Sequence, residues 1–264
     1  MSDAAKSARS SGASVVIRNV GAVGHVTLAA PDRLNAVDVA MLEAAAEGVR
    51  SHDADPAVRV IVLSGEGRAF SAGADLSVHL DEGDLDGTLH GVGAVSRAVI
   101  ESGTPVLALV PGVAAGAGLS MALAADYVLV ADDAKLVLAF GALGLMPDGG
   151  ATTLVVANIG RARALRLALT GEKLSGAEAA EWGLVSESVA QERFGARAEE
   201  LAAHLAALAP EGTALTTAAI TAAALDLDAT LDREESGQHT LLRTADFVEG
   251  LTAFREKRRP TFGA

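Results

Sequence analysis

The stretch TPVLALVPGVAAGAGLSMALAADYVLVADD, residues 104–133, contains twenty consecutive uncharged residues from Val106 onward. Twenty residues is the length that a helix needs to cross a bilayer. One proline and three glycines interrupt this run, however, and much of the rest is alanine. We therefore predict a buried strand over 105–110, a glycine turn and a buried helix over about 117–125. A continuous apolar strand is typical of a sheet whose two faces are both covered.

Strand and helix patterns alternate on both sides of this stretch, which predicts an α/β fold with a helical C-terminal part. Helical spacing of apolar residues predicts a helix over 35–55. From Arg161 onward the chain is mostly helical, whereas we expect a loop over 67–76 and an acidic, aperiodic surface segment over 77–91. The other predicted strands are two over 14–31 joined by a turn at Gly21, and one each over 58–65, 126–133 and 135–140. We expect a flexible N-terminus over 1–13, an α/β core over 14–195 and a helical region over 196–264.

Composition excludes several classes of function. The chain has 264 residues and a formal net charge of −13, which argues against nucleic acid as the main partner, because phosphate binding needs clustered Lys and Arg. It has no cysteine, so thiolate catalysis, Cys-ligated zinc and disulfides are excluded. The six histidines show no metal-ligand spacing. Residues 1–13 lack the apolar run of a signal peptide, so we expect a cytoplasmic protein.

The glycine-rich turn at 112–126 allows three functional interpretations besides simple packing. A dinucleotide fingerprint would need a glycine where Met121 stands. A hydrolase nucleophile elbow would make Ser120 the nucleophile, with alanine in place of the last glycine. Alternatively, the first N–H groups of the helix bind a developing oxyanion, since small residues let an acyl group approach the backbone. The loop FSAGAD, 70–75, is also rich in small residues. It could supply a second backbone N–H group to the oxyanion, or it could be a plain tight turn.

The stretch GLMPDGG, 144–150, holds one carboxylate, Asp148, between a proline and two glycines. Pro-Asp-Gly-Gly is favourable turn chemistry. Asp148 would also suit the N-cap of a following helix. The third possibility is that Asp148 is the base of an active site, and the local sequence leaves these interpretations open.

Several segments resemble, in chain order, motifs of the enoyl-CoA hydratase/isomerase (crotonase) family. The resemblance runs from about Ser14 to Phe262. The matching segments are LAAPDRLNAV (28–37), VRVIVLSGEGRAFSAGADL (58–76), TPVLALVPGVAAGAGLSMALAADYVLVADD (104–133), LTGEKLSGAEAAEWGLV (169–185) and DFVEGLTAFREKRRPTF (246–262). The resemblance implies a crotonase-like α/β fold, in which a ββα spiral core carries a helical C-terminal trimerisation region.

The resemblance also implies a site for an acyl-CoA thioester. The backbone N–H groups of Ala74 and Ala117 match the family's two oxyanion donors. A cation near the end of the C-terminal helix, often from a neighbouring subunit, matches Lys257. The other matching substrate-binding positions are Asn35, Ala36, Ala72, Asp75, Phe140 and Phe254. The family forms trimers or dimers of trimers, coenzyme A is part of the substrate, and we expect no further cofactor, no metal and no membrane or nucleic-acid partner.

The chain departs from the family's hydratases at two positions. Hydratases hold a water between two glutamates, and Ser120 and Phe140 occupy those positions here. Neither side chain can move protons at neutral pH, as water addition requires. LGLMPDGGAT (143–152), which contains Asp148, resembles the enoyl-CoA and ring-1,2-epoxyphenylacetyl-CoA isomerases. One carboxylate suits double-bond isomerisation, so we expect an acyl-CoA isomerase that uses Asp148 as acid and base.

Four alternatives remain open from the sequence. The first is an enoyl-CoA hydratase with an atypical site, in which Asp148 alone positions water. The second is a non-catalytic member that binds acyl-CoA. The third is a serine hydrolase that uses Ser120. The fourth is an aryl-CoA dehalogenase with Asp148 as the nucleophile, which would also need a tryptophan at position 140 and a histidine, His79 or His90, after the first oxyanion loop.

Overall fold

The computed structural model describes residues 8–9, 14–76 and 85–263, and these fold into two β-sheets covered by helices. The strands are β1 Ala8–Arg9, β2 Val15–Val20, β3 Val23–Leu28, β4 Val60–Gly65, β5 Ala69–Ser71, β6 Val106–Val110, β7 Val113–Ala115, β8 Tyr127–Ala131, β9 Lys135–Val137, β10 Leu174–Ser175 and β11 Glu187–Val189. The helices are α1 Val39–Asp53, α2 Leu85–Ile100, α3 Ala117–Leu123, α4 Ala151–Thr170, α5 Gly176–Trp182, α6 Gln191–Ala206, α7 Pro210–Ala224, α8 Leu227–Leu241 and α9 Ala245–Glu256. Short 3-10 helices span Pro31–Arg33 and Gly141–Leu143.

The larger sheet has seven strands in the order β1-β2-β3-β4-β6-β8-β11. β3, β4, β6, β8 and β11 run parallel to one another, and β2 is antiparallel to β3. Helix α1 packs against β2, β3 and β4, and α6 packs against β4 and β8. The apolar runs of β4 and β6 are therefore buried between layers, as their sequences predict.

The smaller sheet has four strands in the order β10-β9-β7-β5, and it positions the candidate site. β5, β7 and β9 are parallel, so their carboxyl ends meet at one edge of the sheet. Three segments follow these ends: the loop 72–75, the start of α3, and the chain from 138 to Asp148. The two small-residue loops and the carboxylate are thus brought to the same edge, where ligands of α/β sheets commonly bind.

The predicted helices and strands are present, but some of their bounds differ from the prediction. Strand β5 lies inside the segment expected to be a loop, because Ala69–Ser71 pairs with β7 and is buried. Helix α2 begins at Leu85, within the acidic segment 77–91 that was expected to be an irregular surface; residues 77–84 lie outside the described part. Helix α4 begins at Ala151 and contains a non-helical residue at Gly160, just before the predicted start.

The predicted domain limits can be placed on the observed elements. The boundary at 195/196 falls inside α6, whose buried residues Phe194, Ala198 and Leu201 belong to the hydrophobic core of the sheet. In the N-terminal segment expected to be flexible, residues 8–9 pair with Val16 and Ile17 as β1, and the remainder lies outside the described residues.

The uncharged stretch that begins at Val106 forms β6, β7 and α3, so the membrane-span interpretation of this stretch is wrong. Within residues 8–9, 14–76 and 85–263, no single helix is long and apolar enough to cross a bilayer. The consecutive helices α7 and α8 meet those criteria of length and composition only as a pair, and a bend of 54° separates them.

Candidate active site

A cleft of about 1340 Å³ opens at the carboxyl edge of the smaller sheet. Ala74, Ala117, Phe140 and Asp148 all line it. The structure therefore brings together the two predicted oxyanion positions and the candidate base, which are up to 74 residues apart in the sequence.

The two small-residue loops are in direct contact at this edge. A Cβ built on Gly73 would lie 2.7 Å from the carbonyl oxygen of Ala115 and 3.5 Å from the nitrogen of Ala117. A Cβ built on Gly118 would lie 2.6 Å from the carbonyl oxygen of Ser71. Side chains at these two glycines would force the loops apart, so the glycines are required by the close approach of the two backbones.

The local geometry leaves both predicted donors available to a ligand. Val37 pairs with Ala74 in a parallel bridge that uses the carbonyl of Gly73 and the N–H of Asp75, so the Ala74 N–H lies on the other edge of the segment. Ala117 is the first residue of α3, and N–H groups in a first helical turn have no acceptor within the helix. Among the described residues, neither N–H has a backbone acceptor outside regular helices and strands.

Asp148 lies in the wall of the cleft and is only 8% exposed. Its Oδ2 accepts a hydrogen bond of 2.8 Å from Nε2 of Gln238, whereas its Oδ1 is buried and has no partner among the described residues. Burial raises the pKa of Asp148 from 3.8 to about 7. The bond from Gln238 opposes this rise, and the charge of Glu234 adds to it.

Asp148 does not cap the helix that follows it, so the N-cap interpretation is wrong. Gly150 occupies the N-cap position of α4. The carboxylate of Glu234, from α8, instead accepts hydrogen bonds from the backbone N–H groups of Gly150 (2.6 Å) and Thr152 (2.8 Å), and also from the Thr152 hydroxyl. The carboxylate of Asp148 is therefore free of the capping role that would have weakened it as a base.

Sequence reasoning missed the contribution of α8. Thr230, Glu234 and Gln238 recur at every fourth residue and are the buried residues of this helix. Residues four apart lie on one face of a helix. Such a polar stripe, flanked by charged residues on the other faces of the helix, was the signal in the sequence that α8 contributes polar side chains to a site.

Ser120 and Phe140 occupy the two positions that were matched to the glutamates of the family's hydratases. Phe140 is 6% exposed and lines the cleft, close to Gly116. Ser120 is fully buried, does not line the cleft, and its hydroxyl donates to the carbonyl of Gly116 at 3.3 Å. The serine hydrolase interpretation is therefore wrong. The dinucleotide interpretation finds no support either, because Met121 stands where its third glycine would be.

The predicted substrate-binding positions near the first loop divide into two groups. Ala36, Ala72 and Asp75 line the cleft. Asn35 is fully buried and does not line it. The Asn35 side chain accepts from the N–H of Ala30 and donates to the carbonyls of Glu66 and Ala69, each at 2.9 Å. Asn35 therefore holds the loops in place through its side chain rather than facing a ligand.

Asp75 lines the cleft but is engaged by a cation. Its carboxylate pairs with the guanidinium of Arg33 at 2.7 Å, and the same guanidinium also pairs with Asp38 at 2.7 Å. Arg33 lines the cleft as well. Asp75 is thereby a structural carboxylate, and Asp148 is the lining carboxylate whose Oδ1 has no protein partner in the described part of the chain.

The C-terminal helix contributes one predicted residue and two unpredicted ones. Phe254 lines the cleft and is 62% exposed. Lys257 is exposed at the left-handed C-cap of α9 and does not line the cleft of its own chain. Arg255 and Arg258 line it instead. Arg258, just beyond the end of α9, is paired with the carboxylates of Glu249 and Glu256, whereas no ion pair of Arg255 is found among the described residues. Arg255 therefore supplies a local cation for an anionic ligand at this end of the cleft.

The remaining site hypotheses find little support. Phe140 stands where a dehalogenase would need tryptophan. His90 is exposed, pairs with Glu235 at 2.8 Å and does not line the cleft; His79 lies outside the described residues. Within the described ranges no three His, Asp or Glu side chains are grouped so as to hold a metal ion.

Comparison with known proteins agrees with this geometry. The enoyl-CoA hydratase/isomerase family profile matches residues 18–264. The chain is 39% identical over 246 residues to the 1,2-epoxyphenylacetyl-CoA isomerase of Escherichia coli, covering 90% of this chain and 93% of that protein. It is 40% identical over 244 residues to a probable enoyl-CoA hydratase of Rhodobacter capsulatus, with the same coverage of both chains.

The fold agrees as well. A crystal structure of an enoyl-CoA hydratase from Mycobacterium avium subsp. paratuberculosis superposes with a TM-score of 0.90 at 40% identity, over 96% of this chain and 99% of that one. The match therefore spans nearly the whole molecule, including the C-terminal helices. The chain belongs to the enoyl-CoA hydratase/isomerase family.

Proposed function

We propose that this protein is an acyl-CoA isomerase that moves a double bond through an enolate, with Asp148 as the acid and base. The observation that carries the proposal is the carboxylate of Asp148, which is buried in the cleft wall and has one oxygen without a partner among the described residues. Ser120 and Phe140 stand at the two positions where hydratases carry the acids that water addition uses. One base that takes and returns a proton is sufficient for isomerisation. Hydration requires one group to activate water and another to protonate carbon.

The geometry supports a sequence of two proton transfers. The thioester oxygen accepts hydrogen bonds from the N–H groups of Ala74 and Ala117. Asp148 then takes the proton from the α carbon of a 3-enoyl thioester, and the C–H electron pair delocalises onto the thioester oxygen as a dienolate. Protonation of the γ carbon by Asp148 leaves the double bond between the α and β carbons. Each oxyanion donor is worth about 3–4 kcal/mol of barrier in comparable sites.

The environment of Asp148 suits this role. A general base works best when its pKa lies near the working pH, and burial raises the pKa of Asp148 to about 7. Phe140 and the neighbouring Leu138 and Leu145 give the cleft an apolar wall. Such a wall excludes water, which strengthens the carboxylate as a base and protects the enolate.

Hydration is a second candidate function, and one observation favours it. Oδ1 of Asp148 and Oε1 of Gln238 are both buried acceptors without a partner among the described residues. Two or more polar partners can hold a water molecule in a site of this kind. The relatives named above include a probable hydratase as well as an isomerase, so the assay below measures both reactions.

The test is turnover of 3-enoyl-CoA and 2-enoyl-CoA by the wild type, Asp148→Asn and Ser120→Ala. We expect the wild type to convert 3-enoyl-CoA to 2-enoyl-CoA, Asp148→Asn to lose at least about a hundredfold in kcat, and Ser120→Ala to retain activity. Full isomerase activity in Asp148→Asn would overturn the proposal. Conversion of 2-enoyl-CoA to the 3-hydroxy product at a comparable rate would assign hydration, and binding without either turnover would assign a non-catalytic role.

We further propose that the protein assembles as a homotrimer or a dimer of trimers. The fifteen residues of α7 include none that is buried in the single chain. Leu215 and Ile220 on this helix are 73% and 65% exposed. Exposed apolar surface of this kind is typical of an interface between proteins.

A further inference from the structure

Gln238 binds one oxygen of the candidate base, and the other oxygen has no hydrogen-bond partner among the described residues. It lies on α8, is 2% exposed and lines the cleft beside Asp148. Its Nε2 donates to Oδ2 of Asp148 at 2.8 Å. Oδ1 of the same carboxylate has no partner in the described part of the chain. The two oxygens of Asp148 are therefore not equivalent.

Helix α8 is fixed to the chain on both sides of Asp148. Gly237 packs directly on the sulfur of Met146, two residues before Asp148, and a Cβ at this glycine would collide with that atom. One turn earlier on α8, Glu234 accepts a hydrogen bond of 2.6 Å from the N–H of Gly150, two residues after Asp148. These contacts set the position of Gln238 relative to the carboxylate, so its hydrogen bond acts from a rigid support.

We propose that Gln238 is a positioning residue, which fixes the carboxylate of Asp148 so that Oδ1 is the oxygen that takes and returns the proton. This inference rests on the proposed isomerase function. In the first step the C–H bond at the α carbon breaks and an O–H bond forms at Oδ1. In the second step that O–H bond breaks and a C–H bond forms at the γ carbon. No other reactant is needed, because the proton taken from the α carbon is the one returned to the γ carbon. Oδ2 remains bound to the amide N–H throughout.

The charges around Asp148 give this arrangement a measurable consequence. An N–H donor stabilises the ionised carboxylate, so loss of the Gln238 amide raises the pKa of Asp148 further above its ordinary value. Among the described residues, Glu234 is the charged group that acts on Asp148, and it too raises the pKa. The side chains nearest to the adjacent Gly149 from α2 and α3 are those of Val92, Ser96 and Ser120, which carry no charge.

The experiment compares wild type with Gln238→Met, which keeps the length of the side chain but has no N–H donor, and with Gln238→Leu, which also lacks the donor. Ser236→Ala, on the exposed side of the same helix, is the control. Two quantities are measured for each protein. The first is the pH dependence of kcat and KM with 3-enoyl-CoA. The second is the titration midpoint of Asp148. It is followed by the infrared band of the Asp148 carboxyl group, which is assigned by the difference from the spectrum of Asp148→Asn.

We expect both Gln238 variants to titrate Asp148 about one pH unit or more above wild type, which lowers the ionised fraction at pH 7 about fivefold or more. The kcat of Gln238→Met should fall about tenfold to hundredfold at pH 7 and recover in part at higher pH, with KM nearly unchanged. A loss of kcat that is the same at every pH, with an unshifted titration, would mean a merely structural role and would overturn the inference.

The infrared titration keeps this test separate from that of the proposed function. Wild-type midpoint and neutral-pH kcat in a folded Gln238→Met would overturn the positioning role while leaving Asp148 as the base. Full activity in Asp148→Asn would overturn the isomerase proposal instead. Should Gln238→Met fail to fold, the titration shift of Gln238→Leu decides the question.

Discussion

A raised pKa does not by itself distinguish a catalytic carboxylate from a structural one in this molecule. Burial raises the pKa of Asp126 to about 6 and that of Asp148 to about 7. Asp126 accepts a hydrogen bond of 2.8 Å from the N–H of Val106, the first residue of β6, and does not line the cleft. Asp148 lies in the cleft wall with an unpartnered oxygen. A place in the cleft wall and an unpartnered oxygen, rather than the raised pKa alone, therefore distinguish Asp148 as the candidate base.

The burial of Asp148 has a cost in stability that depends on pH. The folded-state pKa, about 7, lies above the ordinary value of 3.8 that applies in the unfolded chain. Below about pH 4 both states are protonated and the cost is absent. As pH rises toward 7 the unfolded chain ionises first, so the folded state loses relative stability, and above pH 7 the full cost applies.

Asp148→Asn should therefore unfold at higher urea concentration than wild type at pH 8, and at nearly the same concentration at pH 4. We expect the gain in unfolding free energy at pH 8 to be about 2 to 4 kcal/mol, from the difference of about three pKa units. Urea titrations of both proteins at the two pH values measure it. An equal difference at pH 4 and pH 8 would show that ionisation of Asp148 does not cause the effect.

At the scale of the elements, the smaller sheet could be anticipated only in part. The apolar runs of β4 and β6 and the strand–glycine–helix pattern around α3 predict a parallel sheet directly. The three residues of β5 were not recognised as a strand, because so short a segment has no period of its own. What makes it a strand is pairing with β7, and that pairing is what brings Gly73 against Ala117.

The contact between these elements predicts the effect of a methyl group at Gly118. In Gly118→Ala, the new Cβ would lie 2.6 Å from the carbonyl oxygen of Ser71 unless α3 moves away from the first loop. Such a movement separates the N–H groups of Ala74 and Ala117. We expect kcat for 3-enoyl-CoA to fall about a hundredfold with a smaller change in KM, since the donors act mainly on the enolate.

Gly195→Ala is the matched control for this substitution. Gly195 lies in α6, and a Cβ there would meet no atom within 4 Å. The control should retain full kcat and gain slightly in thermal stability, because alanine favours a helix more than glycine does. Unchanged kcat in a folded Gly118→Ala would contradict the role assigned to the close approach of the two loops.

At the scale of the whole molecule, the sequence predicted the family and the position of Asp148, but not the support around it. Gln238 and Glu234 are 90 and 84 residues from the groups they bind. No local pattern encodes such a distance. The polar stripe of α8 marks the face of the helix that is buried, but it does not indicate which residues that face contacts. Likewise, the chemistry of Pro-Asp-Gly-Gly favoured a cap at Asp148, whereas tertiary packing supplied a different cap from α8.

The exposed apolar residues of α7 lead to a prediction about assembly. Leu215 and Ile220 remain 73% and 65% exposed in the single chain. If copies of the chain cover them, Leu215→Asp/Ile220→Asp should dissociate the assembly, because two buried, unpaired charges at an interface are strongly unfavourable. Sedimentation should give three or six times the chain mass of 26.6 kDa for wild type and a smaller species for the variant.

The control for this variant is Ala196→Asp/Ala203→Asp, which adds the same charge at exposed positions of α6. It should sediment like wild type, since the net charge of −13 already leaves the chain strongly acidic and two more charges alone should not separate the copies. A single-chain mass for wild type, or an unchanged mass for the α7 variant, would contradict the assembly. Because Phe254 at the cleft is also 62% exposed, a dissociated α7 variant that keeps its fold but shows a raised KM for acyl-CoA would further indicate that a neighbouring copy completes the cleft.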